Sequence, residues 1–156
     1  MAAQEMVLVF LAFQLTPWQT YVAQNPVHDS FLNNAMHQLN EMPAANRQQL
    51  LADFERTMSL AYALFGNNVF RKARDASGKR KPNNRPLFEA WGSNLAKLSE
   101  QQQASIVSKK AELNILFEDL LKDERFIKAI SFAATNVDNI RYRFEKIQQI
   151  IDEVLQ

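Results

Sequence analysis

The sequence predicts an all-α fold, a multi-helix bundle of about six to eight helices with one basic loop. Three observations carry this. Large apolar residues recur at steps of three and four, as in Leu50, Phe54, Met58, Ala61 and Phe65, which places them on one face of a helix. No segment of any length alternates apolar and polar residues as a half-buried strand would. Three glycines and five prolines in 156 residues leave long stretches uninterrupted. This length fits one domain or two small ones. The reading adopted is a single helical domain over 1–156, with a flexible basic loop at about 73–84. A chain of this size can bury roughly 70% of its unfolded surface, enough for a core without staples. The absence of cysteine excludes disulfides and thiolate zinc sites. It is consistent with a reducing compartment, and a cytoplasmic location is expected.

The first helix is expected from about Ala3 to Leu15, stopping at Thr16-Pro17 because the residue before proline disfavours the helical backbone. It is apolar on most sides, as a helix with several neighbours would be. Its run from Met6 to Phe13 is too short to span a bilayer. It also lacks the basic start and the cleavage site of a signal peptide, so no membrane contact is expected. A short helix carries Trp18, Tyr21 and Val22 and ends near Asn25-Pro26. Another spans His28 to Glu41, with Phe31, Ala35, Leu39 and Met42 on one stripe. After Pro43 a long helix covers Ala44 to Phe65, and Gly66-Asn67 stops it. The stretch "ARDASGKRKPNN", residues 73–84, is the clear loop. Asn84 then caps a helix with Arg85 and Pro86 in its first turn.

Ser99 and Gln102 have capping-box spacing and open a helix to about Lys122. Asp123 caps a short helix bearing Phe126, Ile127 and Ile130. Thr135 with Asp138 starts the last helix. There Val137, Ile140, Phe144, Ile147, Ile151 and Val154 form a narrow seam of heptad spacing. The seam serves either as a core stripe or as a surface that pairs with a second copy or another protein.

Motifs of catalysis are scarce. No glycine-rich phosphate loop or nucleophile elbow is present. His28 and His37 have neither the spacing nor the neighbours of metal ligands, so no metal site and no cofactor is expected. Glu118, Asp119, Asp123 and Glu124 cluster at a predicted helix junction. Paired acids can hold magnesium or move protons. At a junction interleaved with Lys122 and Arg125, capping and solvation explain them.

The charge distribution is the more informative signal. The net charge is +1, yet Arg71, Lys72, Arg74, Lys79, Arg80, Lys81 and Arg85 fall within fifteen positions beside a single acid, Asp75. The other eleven basic residues face sixteen acids, so the remainder of the chain sums to −5. Clustered Lys and Arg neutralise phosphates and release counterions, giving affinity without sequence choice. Few aromatics interleave, so stacking of single-stranded bases is not indicated. The alternative is a solvated loop that pairs with the acidic remainder. Arg141, Arg143 and Lys146 on the last helix are secondary candidates. Arg141 also has Glu145 four residues on as a helix partner, and Arg143 lies near the seam, where its stem can cover core.

The segments "QEMVLVFLAFQL", "FLNNAM", "LFGNNVFRK", "RPLFEAW" and "IRYRFEKIQQII", in this order, resemble the second half of the GmrSD-type DUF proteins. Those are large prokaryotic proteins of modified-DNA restriction and phage defence. The likeness runs over nearly the full chain. In that family a ParB/sulfiredoxin-like first half carries an Asp-Gly-Gln-Gln-Arg motif, and some members add an HNH-type nuclease domain. Neither motif occurs in this sequence. The resemblance therefore implies a non-catalytic helical module that accompanies a catalytic one, and a chain cut, split or truncated from a longer protein. The expected partners are DNA or RNA, met through the basic segment. The alternative is a module that docks a ParB-like catalytic half or a second copy through the seam or the apolar first helix.

Overall fold

The computed structural model describes residues 3–72 and 76–156. Among them are nine α-helices: α1 (Ala3–Leu15), α2 (Trp18–Gln24), α3 (His28–Glu41), α4 (Ala44–Phe65), α5 (Arg85–Ala96), α6 (Glu100–Ser108), α7 (Lys110–Leu120), α8 (Glu124–Ser131) and α9 (Val137–Leu155). A 3₁₀ turn, Gly66–Asn68, follows α4. The fold is the all-α bundle that the periodicity predicts.

Local chemistry sets most boundaries. Asn25 ends α2 in the left-handed conformation, φ 45° and ψ 56°, one that asparagine tolerates. Asn84 Oδ1 accepts from the Leu87 N–H at 2.9 Å at the start of α5. At α6 the box closes both ways, Gln102 N–H to Ser99 Oγ at 3.2 Å and Ser99 N–H to Gln102 Oε1 at 2.9 Å. Asp123 caps α8 through the Arg125 N–H at 2.8 Å. Two expectations need correction. The cap of α9 is Asn136, which accepts from Asp138 and Asn139 N–H, rather than Thr135. The helix expected from Ser99 to Lys122 is broken at Lys109. There the Lys109 N–H is shared between the Ser105 and Ile106 carbonyls, both at 3.2 Å, and Ser108 Oγ donates to the Ser105 carbonyl as well, at 2.6 Å. The Lys109 ammonium instead reaches the Val154 carbonyl in the last turn of α9, at 2.8 Å.

The hub is α5. Every residue from Pro86 to Leu95 is buried, and the helix packs against α1, α4, α8 and α9. Gly92 permits the close approach of α1. A Cβ there would stand 3.3 Å from the Phe10 ring. The seam of α9 faces this hub: Ile140, Phe144, Ile147, Ile151 and Val154 are all buried within the chain. In α1, Val9 to Phe13 are buried as well. Most apolar side chains of the seam and of the first helix therefore lie in this chain's own core, while Val137, Met6, Val7 and Leu8 are partly buried against it. No single described helix is long and apolar enough to cross a membrane. The pair α1 and α2 has that composition jointly but bends by 85° between them.

One charged pair lies inside the hub. Glu89, 5% exposed, accepts from Arg143 Nη2 through Oε2 at 2.7 Å, and Arg143 is 0% exposed. Arg143 Nη1 donates further to the carbonyls of Ala134 at 2.8 Å and Ala129 at 3.3 Å. Its Nε finds no acceptor among the described residues. Burying two charges is costly, and removing one partner strands the other, a loss of about 3–5 kcal/mol. Glu89→Gln and Arg143→Met should each lower stability by roughly that much. The double variant Glu89→Gln/Arg143→Met should lose clearly less than the sum. Urea denaturation of the four proteins checks this, and strictly additive losses would show the two groups to be uncoupled.

Candidate nucleic-acid interface

The basic segment leaves the bundle through a closed neck. Arg71 and Asn83 form an isolated antiparallel bridge, and the Asn84 N–H donates to the Phe70 carbonyl at 2.7 Å. Phe70 holds φ 55°, a strained backbone for a residue with a side chain, which persists only where packing over-determines it. Its buried ring meets Phe88 edge-on with centroids 5.1 Å apart. Both feet are tied to α8. Asn84 Nδ2 donates to the Ile130 carbonyl at 2.9 Å, and the Lys72 ammonium donates to Ser131 Oγ at 2.7 Å.

Above the neck the segment folds back onto the 3₁₀ turn. Arg71 donates from Nε to the Asn67 carbonyl at 3.2 Å and from Nη1 to the Lys81 carbonyl. Arg80 Nη1 donates to the Asn67 carbonyl at 3.4 Å. These acceptors are neutral, so they orient the guanidinium groups without cancelling their charge. Lys79, Arg80 and Lys81 are exposed, and Arg71 and Lys72 half-exposed. Burial, then the nearby charge of Lys81, pushes the Lys72 ammonium below its ordinary pKa. Arg74 lies outside the described residues.

Arg85 belongs elsewhere. It turns inward and donates from Nη1 to Glu5 Oε1 at 2.8 Å and from Nε to Glu89 Oε1 at 3.0 Å. Its expected place in the interface is thus corrected to a place in the internal network, since two carboxylates already neutralise it. Arg143 is corrected likewise, because it is sealed in the core against Glu89. The sequence carried a signal for both. Arg85 and Glu89 are four apart on one helix, and Arg143 is three residues after Ile140 and four before Ile147, on the core face of α9. Arg141 is exposed. Lys146 sits over the Tyr142 ring at 5.4 Å, with the Arg125 guanidinium at 4.7 Å from the same ring. Tyr142 donates its hydroxyl proton to Asp123, which holds that carboxyl below the usual range. In the acidic cluster Asp123 thus caps α8 and anchors Tyr142, while Asp119 pairs with Lys122 at 2.8 Å. Among the described residues no group of three or more His, Cys, Asp or Glu is placed to hold a metal ion.

The network around Glu89 also takes in His28, which the sequence reading left without a partner. Arg85 Nη2 lies 3.1 Å from His28 Nε2, and Tyr21 Oη lies 3.1 Å from Nδ1. A guanidinium only donates, so Nε2 accepts and the proton resides on Nδ1, which donates to Tyr21. A second ring proton would oppose Arg85. Burial lowers the His28 pKa most, Arg85 and Arg143 lower it further, and Glu89 and Asp29 act in the opposite sense.

No family model, curated protein or solved structure matches this chain.

A histidine whose folded pKa is depressed is neutral in the native state while the unfolded chain takes up protons below about pH 6.5. Folding stability should therefore fall as pH drops from about 6.5 toward the lowered folded pKa. His28→Gln removes this proton uptake and should flatten the slope in that window. Urea midpoints measured from neutral to mildly acidic pH check the difference between the two proteins, and parallel profiles would contradict the assignment.

Proposed function

We propose that this chain is a non-catalytic helical module that binds nucleic acid without sequence preference through the basic segment. Arg71, Lys72, Lys79, Arg80 and Lys81 make the phosphate contacts. The observation that carries this reading is the exposure of Lys79, Arg80 and Lys81 on a segment rooted at both feet, within a protein whose remaining charge is negative. A rooted segment loses less freedom on binding than a free tail does. The acidic remainder keeps polyanions from settling elsewhere on the surface. The ordered segments resembling the second half of GmrSD-type proteins fit the same reading, in which the module holds DNA or RNA for a ParB-like catalytic half. Docking of that half would then use a surface other than the α9 seam and the apolar face of α1, which the core occupies.

Gel-shift titration over salt tests the reading. Five phosphate contacts on a duplex predict a slope of log affinity against log salt of roughly −4 to −5. Replacing Lys79, Arg80 and Lys81 together with Ala should weaken binding to all sequences alike and reduce that slope by about three. Absence of binding to any duplex or single strand at low salt would reject it.

A further inference from the structure

At the root of the basic segment lies a cleft of about 440 Å³, within the range of about 300–1,000 Å³ in which proteins hold small ligands. Three parts of the chain wall it. Phe65 and Asn68 come from the end of α4 and the 3₁₀ turn, Arg71 and Lys72 from the neck of the segment, and Asn114, Phe117, Glu118, Leu121 and Lys122 from α7 and the residues after it.

The lining is chemically divided. Phe65, Phe117 and Leu121 provide an apolar side. Behind it Trp91 packs edge-on against Phe65 at 4.7 Å and Phe117 at 5.2 Å, so this side is braced by the hub helix. The polar side holds three cations, Arg71, Lys72 and Lys122, with the carboxylate Glu118. Lys122 is already paired with Asp119 at 2.8 Å. Arg71 and Lys72 are held by neutral oxygens instead. The matching ligand has a flat apolar body joined to a compact anion. A purely apolar ligand would leave the cations uncompensated, and a bare anion would leave the apolar side wet.

We propose that this cleft is a subsite for a single nucleotide, free or at the end of a strand, with its phosphate on Arg71 and Lys72 and its base against Phe65, Phe117 and Leu121. The proposal extends the reading of the basic segment as a phosphate contact and rests on it for Arg71 and Lys72. It requires neither the exposed residues Lys79 to Lys81 nor a long strand. Burial first, and then the charge of Lys81, lowers the Lys72 pKa, and a phosphate on Lys72 acts in the opposite sense.

Calorimetric titration of the whole chain at low salt tests it with nucleoside monophosphates, the parent nucleosides and inorganic phosphate. Monophosphates should bind about tenfold or more tighter than either fragment. Leu121→Trp, which puts a larger side chain into the lining, should abolish that binding, and Arg71→Gln, at a half-exposed position, should weaken it and serves where the tryptophan variant does not fold. Ala at Lys128, exposed on α8 and outside the basic segment, should leave it intact. A 5′-phosphorylated trinucleotide that matches the monophosphate while its 5′-hydroxyl form is weaker assigns the site to strand ends. Binding of the monophosphate alone assigns it to free nucleotide. Monophosphates that bind no better than phosphate, or that bind equally well to Leu121→Trp, would overturn the proposal. A gel shift that persists after such a failure leaves the loop reading standing without the subsite. Monophosphate binding without any gel shift retains the subsite alone.

Discussion

The ion pair of Glu89 with Arg143 is the constraint around which the bundle is arranged. Glu89 lies in the middle of α5, a helix buried from Pro86 to Leu95, and a carboxylate there is tolerable only with a countercharge in place. Arg143 supplies one from α9 at 2.7 Å. Arg85 supplies a second from the first turn of α5 and passes the link to Glu5 on α1 and His28 on α3. Apolar packing alone is nearly indifferent to small slips along a helix axis. A carboxylate with one oxygen assigned to each of two arginines is not, so four helices share one register.

That register also places the basic segment. Its second foot, Asn84, is the cap of α5, and Arg85 immediately after it enters the buried network. Its first foot follows Phe70, whose strained backbone is held by the Phe88 ring on the same helix. The positive surface is therefore attached to the most buried part of the fold rather than to a free linker. The cleft at its root has the same origin, because Trp91 of α5 backs the two phenylalanines on its apolar side. A single helix carries the charge pair, the loop root and the brace of the cleft.

Much of the fold was legible in the sequence because it is locally encoded. The limits of α1, α3 and α4, the Asn84 and Asp123 caps and the Ser99–Gln102 box all depend on residues within one turn of each other. The break at Lys109 was not legible, since no glycine or proline marks it and the helical bond to the Ser105 carbonyl persists across it. The interface was legible only in part. A run of positive residues reveals local charge but not which members find carboxylates: Arg85 has a local sign in Glu89 four residues on, but its other partner, Glu5, lies 80 residues away, and Arg143, outside the run, meets Glu89 across 54 residues. The cleft was invisible for the same reason. Its wall is assembled from residues near 65, 71 and 117, which no periodicity connects.

Amide hydrogen exchange, with and without a short DNA duplex at low salt, tests the central claim most directly. That claim is a rigid hub holding out a rooted cationic segment. The account predicts that amides of α5 between Phe88 and Leu95 exchange slowest, near the rate set by global unfolding. It predicts that the duplex slows exchange around Arg71, Lys72 and residues 76–83 while leaving α5 unchanged. Fast exchange throughout α5, or protection by the duplex that falls on other helices and spares this segment, would contradict it.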